Sequence, residues 1–353
     1  MAISLPRIPD RLIQANGREY LYFGGTAYLG LQAYPTFKDI FLKNVERYGM
    51  HYGASRRSNV ALDIYQQAEA HLADWVGSEA CLTMSSGYLA AQLVIQHLLE
   101  QGHKLFAAPN AHTAMLMNGV NKTNSFAELD LALQKEISVD GPLPVLLFDT
   151  IDFTTKQFPH FDALQQLPLD KMILVGDDSH GIGVVGNHGT GCYGLLKKLN
   201  PVQLLVCCSL GKGLGIQAGA VFGDNEFIAS LKATPFYGGA SPALPAFMGT
   251  LIDAKPIYEA RRKTLMENYQ LFLDSLDQSQ YFQHMKGHPT FEFENAMLAQ
   301  ELDDHGFIIT NFNYPDANGP LVSRIVLSAY HKKEDVQQLA KALNRFKDRQ
   351  HLQ

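Results

Sequence analysis

Two spacings of apolar residues alternate along the chain. Phe37, Ile40, Phe41, Asn44, Val45 and Tyr48 recur at helical spacing, with Thr36 as the cap and Gly49 as the stop. Leu62, Tyr65, Glu69, Leu72 and Val76 repeat that pattern and end at Gly77. Short apolar runs at 80–84, 104–108, 145–148, 172–175, 203–208 and 218–222 read as strands, and helical segments at 89–99 and 227–233 separate several of them. This alternation predicts an α/β domain.

The texture changes after Tyr237-Gly238-Gly239-Ala240-Ser241-Pro242. A long helical pattern over 243–276 leads into strands near Phe291, at 307–313 and at 324–329. A last helix carries Val336, Leu339, Ala340, Leu343 and Phe346 on one face. The expected organisation is an N-terminal arm (1–35), a large α/β domain (36–240) and a smaller C-terminal α+β domain (241–353).

Composition narrows the function classes. A chain of 353 residues exceeds a usual single core, and 46% hydrophobic with 18% charged residues describes a well-packed globular protein. A net charge of -6 gives no basic footprint for nucleic acid. The short basic runs Lys197-Lys198 and Lys332-Lys333 read as solvated helix ends. No apolar stretch approaches a membrane span, and the segment 1–7 lacks the apolar core of a signal peptide. Cys81, Cys192, Cys207 and Cys208 show neither zinc-ligand spacing nor a disulfide framework. These features lead to the expectation of a reduced, soluble, cytoplasmic protein with no metal.

The candidate chemistry lies at strand ends. Lys212 sits between glycines in Ser209-Leu210-Gly211-Lys212-Gly213, directly after the apolar run at 203–208. One crossover upstream, Asp177 ends another run in Gly176-Asp177-Asp178-Ser179-His180. A lysine that holds an aldehyde as a Schiff base, with a carboxylate for a protonated ring nitrogen, points to pyridoxal 5'-phosphate (PLP). Ser86-Gly87-Tyr88 opens a helix after the strand at 80–84, a setting in which backbone N–H groups and the helix dipole favour phosphate. Ser209 offers a hydroxyl from the other side. His112 follows the run at 104–108 and reads either as a polar loop residue or as a stacking and proton-transfer group. Arg324 opens a strand and is either a surface charge or a carboxylate clamp.

Two rival motifs are weaker. Gly181-Ile182-Gly183-Val184-Val185-Gly186 spells the dinucleotide fingerprint, but a loop follows it instead of a helix, and no acidic residue stands where the ribose contact belongs. Asp177, Asp178, His180 and His188 could ligate a metal ion, yet that reading leaves Lys212 unexplained.

Taken in order, these segments resemble the α-oxoamine synthases, PLP enzymes of fold type I. From about Tyr22 onward, Tyr28-Leu29-Gly30-Leu31 resembles the family's N-D-Y-L-G-L and Tyr52-Gly53-Ala54-Ser55-Arg56 its G-x-G-x-S-R. Asn110-Ala111-His112-Thr113 resembles N-H-A-S, the segment 177–186 resembles D-E-A-H-S-x-G-x-x-G, and the segment 209–213 resembles T-F-G-K-G. The resemblance implies a large domain with a mostly parallel central sheet and a smaller C-terminal domain. It places Lys212 at the Schiff base, Asp177 on the ring nitrogen, His180 at the ring hydroxyl, His112 on the ring face and Arg324 on the substrate carboxylate. Ser86, Gly87, Tyr88, Thr154 and Ser209 would complete the cofactor site. Ser241 would reach the phosphate of a neighbouring subunit in a homodimer.

The substrate half departs from the family. Gly25-Thr26-Ala27 stands where the family has S-N-D, so Thr26 takes the place of a substrate-touching asparagine. The family's T-E-G segment is reduced to 149–157, and its P-P-T-V-P reads Tyr314-Pro315-Asp316-Ala317-Asn318. The shorter run before Tyr28 implies a reduced arm at the acyl-CoA entrance. The expected activity is decarboxylative condensation of an amino acid with an acyl-CoA. The alternatives are an aminotransferase or lyase that uses no thioester, and a PLP-retaining binding protein whose substrate site has decayed.

Overall fold

The computed structural model describes residues 3–350 apart from 16, 278, 315 and 316. Thirteen strands are assigned among the described residues: β1 (Leu12–Ala15), β2 (Arg18–Phe23), β3 (Ala80–Met84), β4 (Leu105–Ala107), β5 (Val120–Lys122), β6 (Val145–Asp149), β7 (Ile173–Asp177), β8 (Gln203–Ser209), β9 (Gly219–Gly223), β10 (Gln283–His284), β11 (Thr290–Glu292), β12 (Phe307–Asn313) and β13 (Leu321–Val326). The helices are α1 (Pro35–Tyr48), α2 (Asp63–Val76), α3 (Gly87–Glu100), α4 (Phe126–Ile137), α5 (Asp162–Gln165), α6 (Tyr193–Lys197), α7 (Asn225–Ala233), α8 (Pro235–Gly239), α9 (Pro245–Asp253), α10 (Lys255–Ser275), α11 (Ala296–Asp304) and α12 (Lys333–Gln350).

Two compact units emerge, one of residues 39–255 and one that joins 1–38 to 256–353. This differs from the expected boundary near Ser241, because α9 belongs to the first unit. The predicted helix over 243–276 is two helices. Pro256 lacks an N–H and takes a first-turn position in α10, where none is needed, so the chain breaks at Ala254.

The unit 39–255 is built on a seven-stranded sheet of order β3-β9-β8-β7-β6-β4-β5. Every pairing is parallel except those of β9 with β3 and β8. Parallel strands with both faces covered carry nearly unbroken apolar sequence, which is why Val-Leu-Leu-Phe, Ile-Leu-Val and Leu-Leu-Val-Cys-Cys were legible as strands. Val145, Leu147, Ile173, Val175, Leu205, Cys207 and Val221 turn to one face and pack with Leu93, Val94 and Leu98 of α3. Because strand side chains alternate, the last residues of β6, β7 and β8 are the first places where polar groups leave this core.

In the other unit the order is β1-β2-β12-β13-β11-β10, antiparallel except for β2 with β12. Residues 12–23, expected as part of an arm, are therefore a hairpin built into this sheet. Its strands alternate, burying Ile13, Ala15 and Tyr20. His331 ties the unit's last segment to its first: Nε2–H donates to the Tyr22 carbonyl at 2.8 Å, Nδ1 accepts from the Ser328 amide at 3.0 Å, and the ring stacks on Phe23.

Candidate active site

Parallel β6, β7 and β8 end side by side, and the register sets Asp149 opposite Asp177 and Asp177 opposite Cys207. Ligands of open α/β sheets bind outside such carboxyl ends. Asp177 is buried, and its Oδ1 accepts the Ser179 amide at 2.9 Å. Asp149 Oδ2 accepts the His112 amide at 2.7 Å. Burial pushes the Asp149 carboxyl well above the usual range, and the charge of Asp177 adds to this. Burial lowers the His112 imidazole, with Asp177 opposing the shift and Lys212 assisting it. Nδ1 of His112 accepts the Ala114 amide at 3.1 Å, which leaves the ring proton on Nε2. Lys212, Asp177, Asp149 and His112 thus share one electrostatic neighbourhood at the end of the sheet.

Glycines let three backbone segments close on this point. A Cβ on Gly87 would stand 2.7 Å from the backbone of Ser209, and one on Gly219 would stand 2.1 Å from the Ser86 carbonyl oxygen. The first turn of α3 is therefore pressed against the end of β8. Ser86 caps that helix, its Oγ accepting the Leu89 amide at 3.2 Å. A Cβ on Gly213 would lie 2.2 Å from the Ile182 carbonyl oxygen, so the turn carrying Lys212 interlocks with the loop after β7. Ser209 joins both loops: its amide donates to Ser179 Oγ at 2.8 Å and its Oγ accepts the Gly211 amide at 3.3 Å.

Asp178, which the sequence offered as a metal ligand, has a different task. It is fully buried, with Oδ1 accepting the Thr150 hydroxyl at 2.5 Å and Oδ2 accepting the Cys192 amide at 2.9 Å. Cβ atoms on Gly181 and Gly191 would lie 2.0 and 1.9 Å from its oxygens, so only glycine fits around it. Burial raises its pKa to about 6. The run Gly181 to Gly186 is thus a loop wrapped around a carboxylate; it opens no α-helix.

The structure brings together Lys212, His112, Asp177, Ser86, Gly87 and Ser209. His180 leaves the same loop and meets Phe153 edge-on, ring centroids 5.2 Å apart. Thr154 is exposed and its amide turns back to Asp152 Oδ1 at 2.7 Å, so none of its described contacts reaches the cluster. Phe153, one position earlier, is buried and meets His180. Tyr88 and Ser241 are exposed. The segment expected as a loop at 237–241 begins within the short helix α8. Thr26 and Arg324 lie in the other unit, where Arg324 Nε donates to Glu292 Oε1 at 2.8 Å. Of the stretch 314–318, Pro315 and Asp316 fall outside the described residues.

Sequence reasoning missed Asp149, although it ends an apolar run just as Asp177 does. It also missed Arg56 and Glu69 as a pair. Glu69 Oε1 accepts Arg56 Nη2 at 2.9 Å and the Thr83 amide at 2.8 Å, and Oε2 accepts Lys232 Nζ at 2.8 Å. Arg56 also lies over the rings of Tyr65 and Tyr237. Next to it, Ser55 Oγ donates to the Gly238 carbonyl at 2.5 Å. The segment resembling G-x-G-x-S-R is therefore a brace for α8.

The donor set fits PLP. A buried carboxylate suits the ring nitrogen, a lysine stands on the adjoining turn, and the start of a 14-residue helix, brought close to Ser209 by Gly87, offers amides to a phosphate.

Comparison with known proteins agrees. The chain is 29% identical to the 8-amino-7-oxononanoate synthase of Pectobacterium atrosepticum over 94% of this chain and 90% of that protein. It is 28% identical to the synthase of that name from Azoarcus, over 99% and 93%. Among solved structures, the serine palmitoyltransferase of Sphingomonas wittichii superposes with a TM-score of 0.80 at 18% identity, covering 98% of this chain and 91% of that one. A serine palmitoyltransferase from S. paucimobilis with PLP and myriocin bound gives 0.82 at 17%, over 98% and 92%. The 8-amino-7-oxononanoate synthase of Francisella tularensis gives 0.69 at 20%, over 94% and 99%. No protein-family model matches the chain. The fold is that of PLP-dependent type I enzymes, and the resemblance to α-oxoamine synthases drawn from the motifs is borne out across nearly the whole sequence.

Proposed function

We propose that this chain, similar to α-oxoamine synthases in both sequence and fold, is a PLP-dependent acyltransferase. It joins an amino acid to an acyl-CoA with loss of CO2. The observation that carries the reading is the joint placement of Lys212, Asp177 and His112 at the sheet's carboxyl edge, in a chain 29% identical to an oxononanoate synthase over 94% of its length.

When bound, PLP supplies the electron sink that makes the substrate's α-carbon nucleophilic. The protein's own groups do the rest. Asp177 would keep the ring nitrogen protonated, since an opposite charge favours the ionised partner. Lys212 would anchor the aldehyde, and its amine would be the group that takes and returns the α-proton. His112, whose imidazole burial shifts towards the neutral form, would cover the ring without adding a positive charge. Ser209 and the first turn of α3 would hold the phosphate, and Arg324 would hold the amino acid's carboxylate. A carbon–carbon bond forms between the α-carbon and the thioester carbonyl as the sulfur–carbon bond breaks. The carboxylate leaves as CO2, one proton is consumed, and CoA departs as the free thiol.

The working form is a homodimer in the cytoplasm, with the segment after α8, including Ser241, directed to the phosphate of the second copy. Among the described residues, no helix is long and apolar enough to cross a membrane. The direct test of the cofactor site is borohydride reduction of the yellow protein. PLP should be trapped on a peptide containing Lys212, and trapping on another lysine would overturn the assignment.

A further inference from the structure

In the unit holding Arg324, antiparallel register places Thr310 opposite Arg324 on one side and Glu292 opposite it on the other. Directly opposed residues project from the same face of a sheet, so the three side chains form a row across β12, β13 and β11. Arg324 Nε donates to Glu292 Oε1 at 2.8 Å, and the two side chains remain 24% and 22% exposed. Thr310 Oγ1 accepts the amide of Gly25, the residue before Thr26, at 3.2 Å. The charge of Arg324 is also felt by the buried Tyr28 phenol. The arginine and the threonine segment of the substrate half therefore border one sheet face, and a carboxylate of the protein's own stands on that face.

We propose that Glu292 is a specificity-determining residue that holds Arg324 in the way a substrate carboxylate would. A substrate must share or displace it. The inference rests on the reading of Arg324 as the carboxylate clamp. Two physical consequences follow. An arginine paired with a carboxylate is close to neutral, so a second carboxylate gains less attraction from it and meets repulsion from Glu292. The Nε edge of guanidinium is one of its two-point faces for carboxylates, and Glu292 occupies the Nε end. The clamp therefore binds simple amino acids weakly and disfavours those with an acidic side chain. Selection by the carboxylate is relaxed, and contacts to the rest of the substrate set specificity.

The test is equilibrium binding to the PLP-loaded protein by calorimetry, with L-alanine, L-aspartate and L-alaninamide as probes. Glu292→Gln should tighten L-alanine about tenfold and L-aspartate at least as much, and leave L-alaninamide within about twofold. Glu292→Asp, which keeps the charge, should stay near wild type. Should the Gln variant fail to fold, Glu292→Ala is read by the same criteria. Unchanged or weaker L-alanine binding without Glu292, an equal gain for the amide, or no binding of any probe would overturn the proposal. Thioester turnover separates the two readings. If CoA release fails while the Gln variant tightens L-alanine, the condensation reading falls and the role of Glu292 stands. If CoA is released normally and L-alanine binding does not change, Glu292 has no such role.

Discussion

Asp149 and Asp177 stand opposite one another at the ends of adjacent parallel strands, and Asp149 takes an amide from the loop that carries His112. Two carboxyl groups so placed resist carrying charge together. Burial and the charge of Asp177 push Asp149 upward, which favours its protonated form. It thereby positions His112 without competing for the ring nitrogen.

Replacing each acid separates these roles. Asp149→Asn mimics the protonated acid and should retain PLP and amino-acid α-proton exchange within about threefold, whereas Asp177→Asn should lose exchange by about a hundredfold or more. A folded-state pKa raised above the unfolded one stabilises fully at low pH, and that contribution is lost as pH rises. Asp149→Asn should therefore raise the melting temperature more at pH 8 than at pH 5. An equal change at both pH values would contradict the assignment.

Asp178 makes a sharper pH prediction. Its folded pKa of about 6 lies above its ordinary value of 3.8, so its contribution is full below 3.8 and declines as pH rises through 6. Asp178→Asn should flatten the stability profile over that window. Gly191→Ala places a Cβ 1.9 Å from the carboxylate at a backbone φ of +74°. It should cost about 2 kcal/mol or more and weaken PLP binding, read by denaturant titration and cofactor dissociation.

His331 acts with the opposite sign. Burial lowers its pKa to about 4 from 6.5, so its contribution is full above 6.5 and is lost as pH falls through 4. On cooperative urea unfolding this histidine should remove about 2 kcal/mol between pH 7 and pH 5. His331→Gln should lose that dependence while being less stable at pH 7.

The fold and the polar cluster at the sheet's carboxyl ends were largely legible in the sequence, for a physical reason. Fully buried parallel strands must be apolar until they end, so Asp177 announced itself as the first polar group of its run and the glycine-flanked Lys212 as the charge on the turn just past another. Asp149 carried the same signal at the end of β6, but the motif downstream of it departs from the family's pattern and drew attention to Thr154 instead. The hairpin at 12–23 was missed although Asn16-Gly17 between alternating segments is a turn signal. Cross-strand and long-range partners were not legible at all. The pairing of Glu292 with Arg324 depends on register, and that of Glu69 with Arg56 on how the segment after α1 folds back.

Glu69 can be tested as the centre of that fold-back. Its carboxylate is 4% exposed and receives Arg56, Lys232 and the Thr83 amide. Glu69→Ala would leave Arg56 buried without its countercharge, and should cost about 3–5 kcal/mol in denaturant unfolding. In the homodimer proposed above, loosening α8 should also favour monomer in sedimentation. A stable variant with unchanged assembly would remove the brace from the account.

The central claim is most directly tested by product stoichiometry. The PLP-loaded protein should be mixed with a panel of amino acids, each with and without acyl-CoA thioesters of different chain length, while free thiol and CO2 are counted. Condensation predicts that one amino acid and one thioester together release thiol and CO2 in equal amounts, and that neither is released without the other substrate. Conversion of the cofactor to its pyridoxamine form by an amino acid alone, reversed by a keto acid and indifferent to thioester, would contradict it.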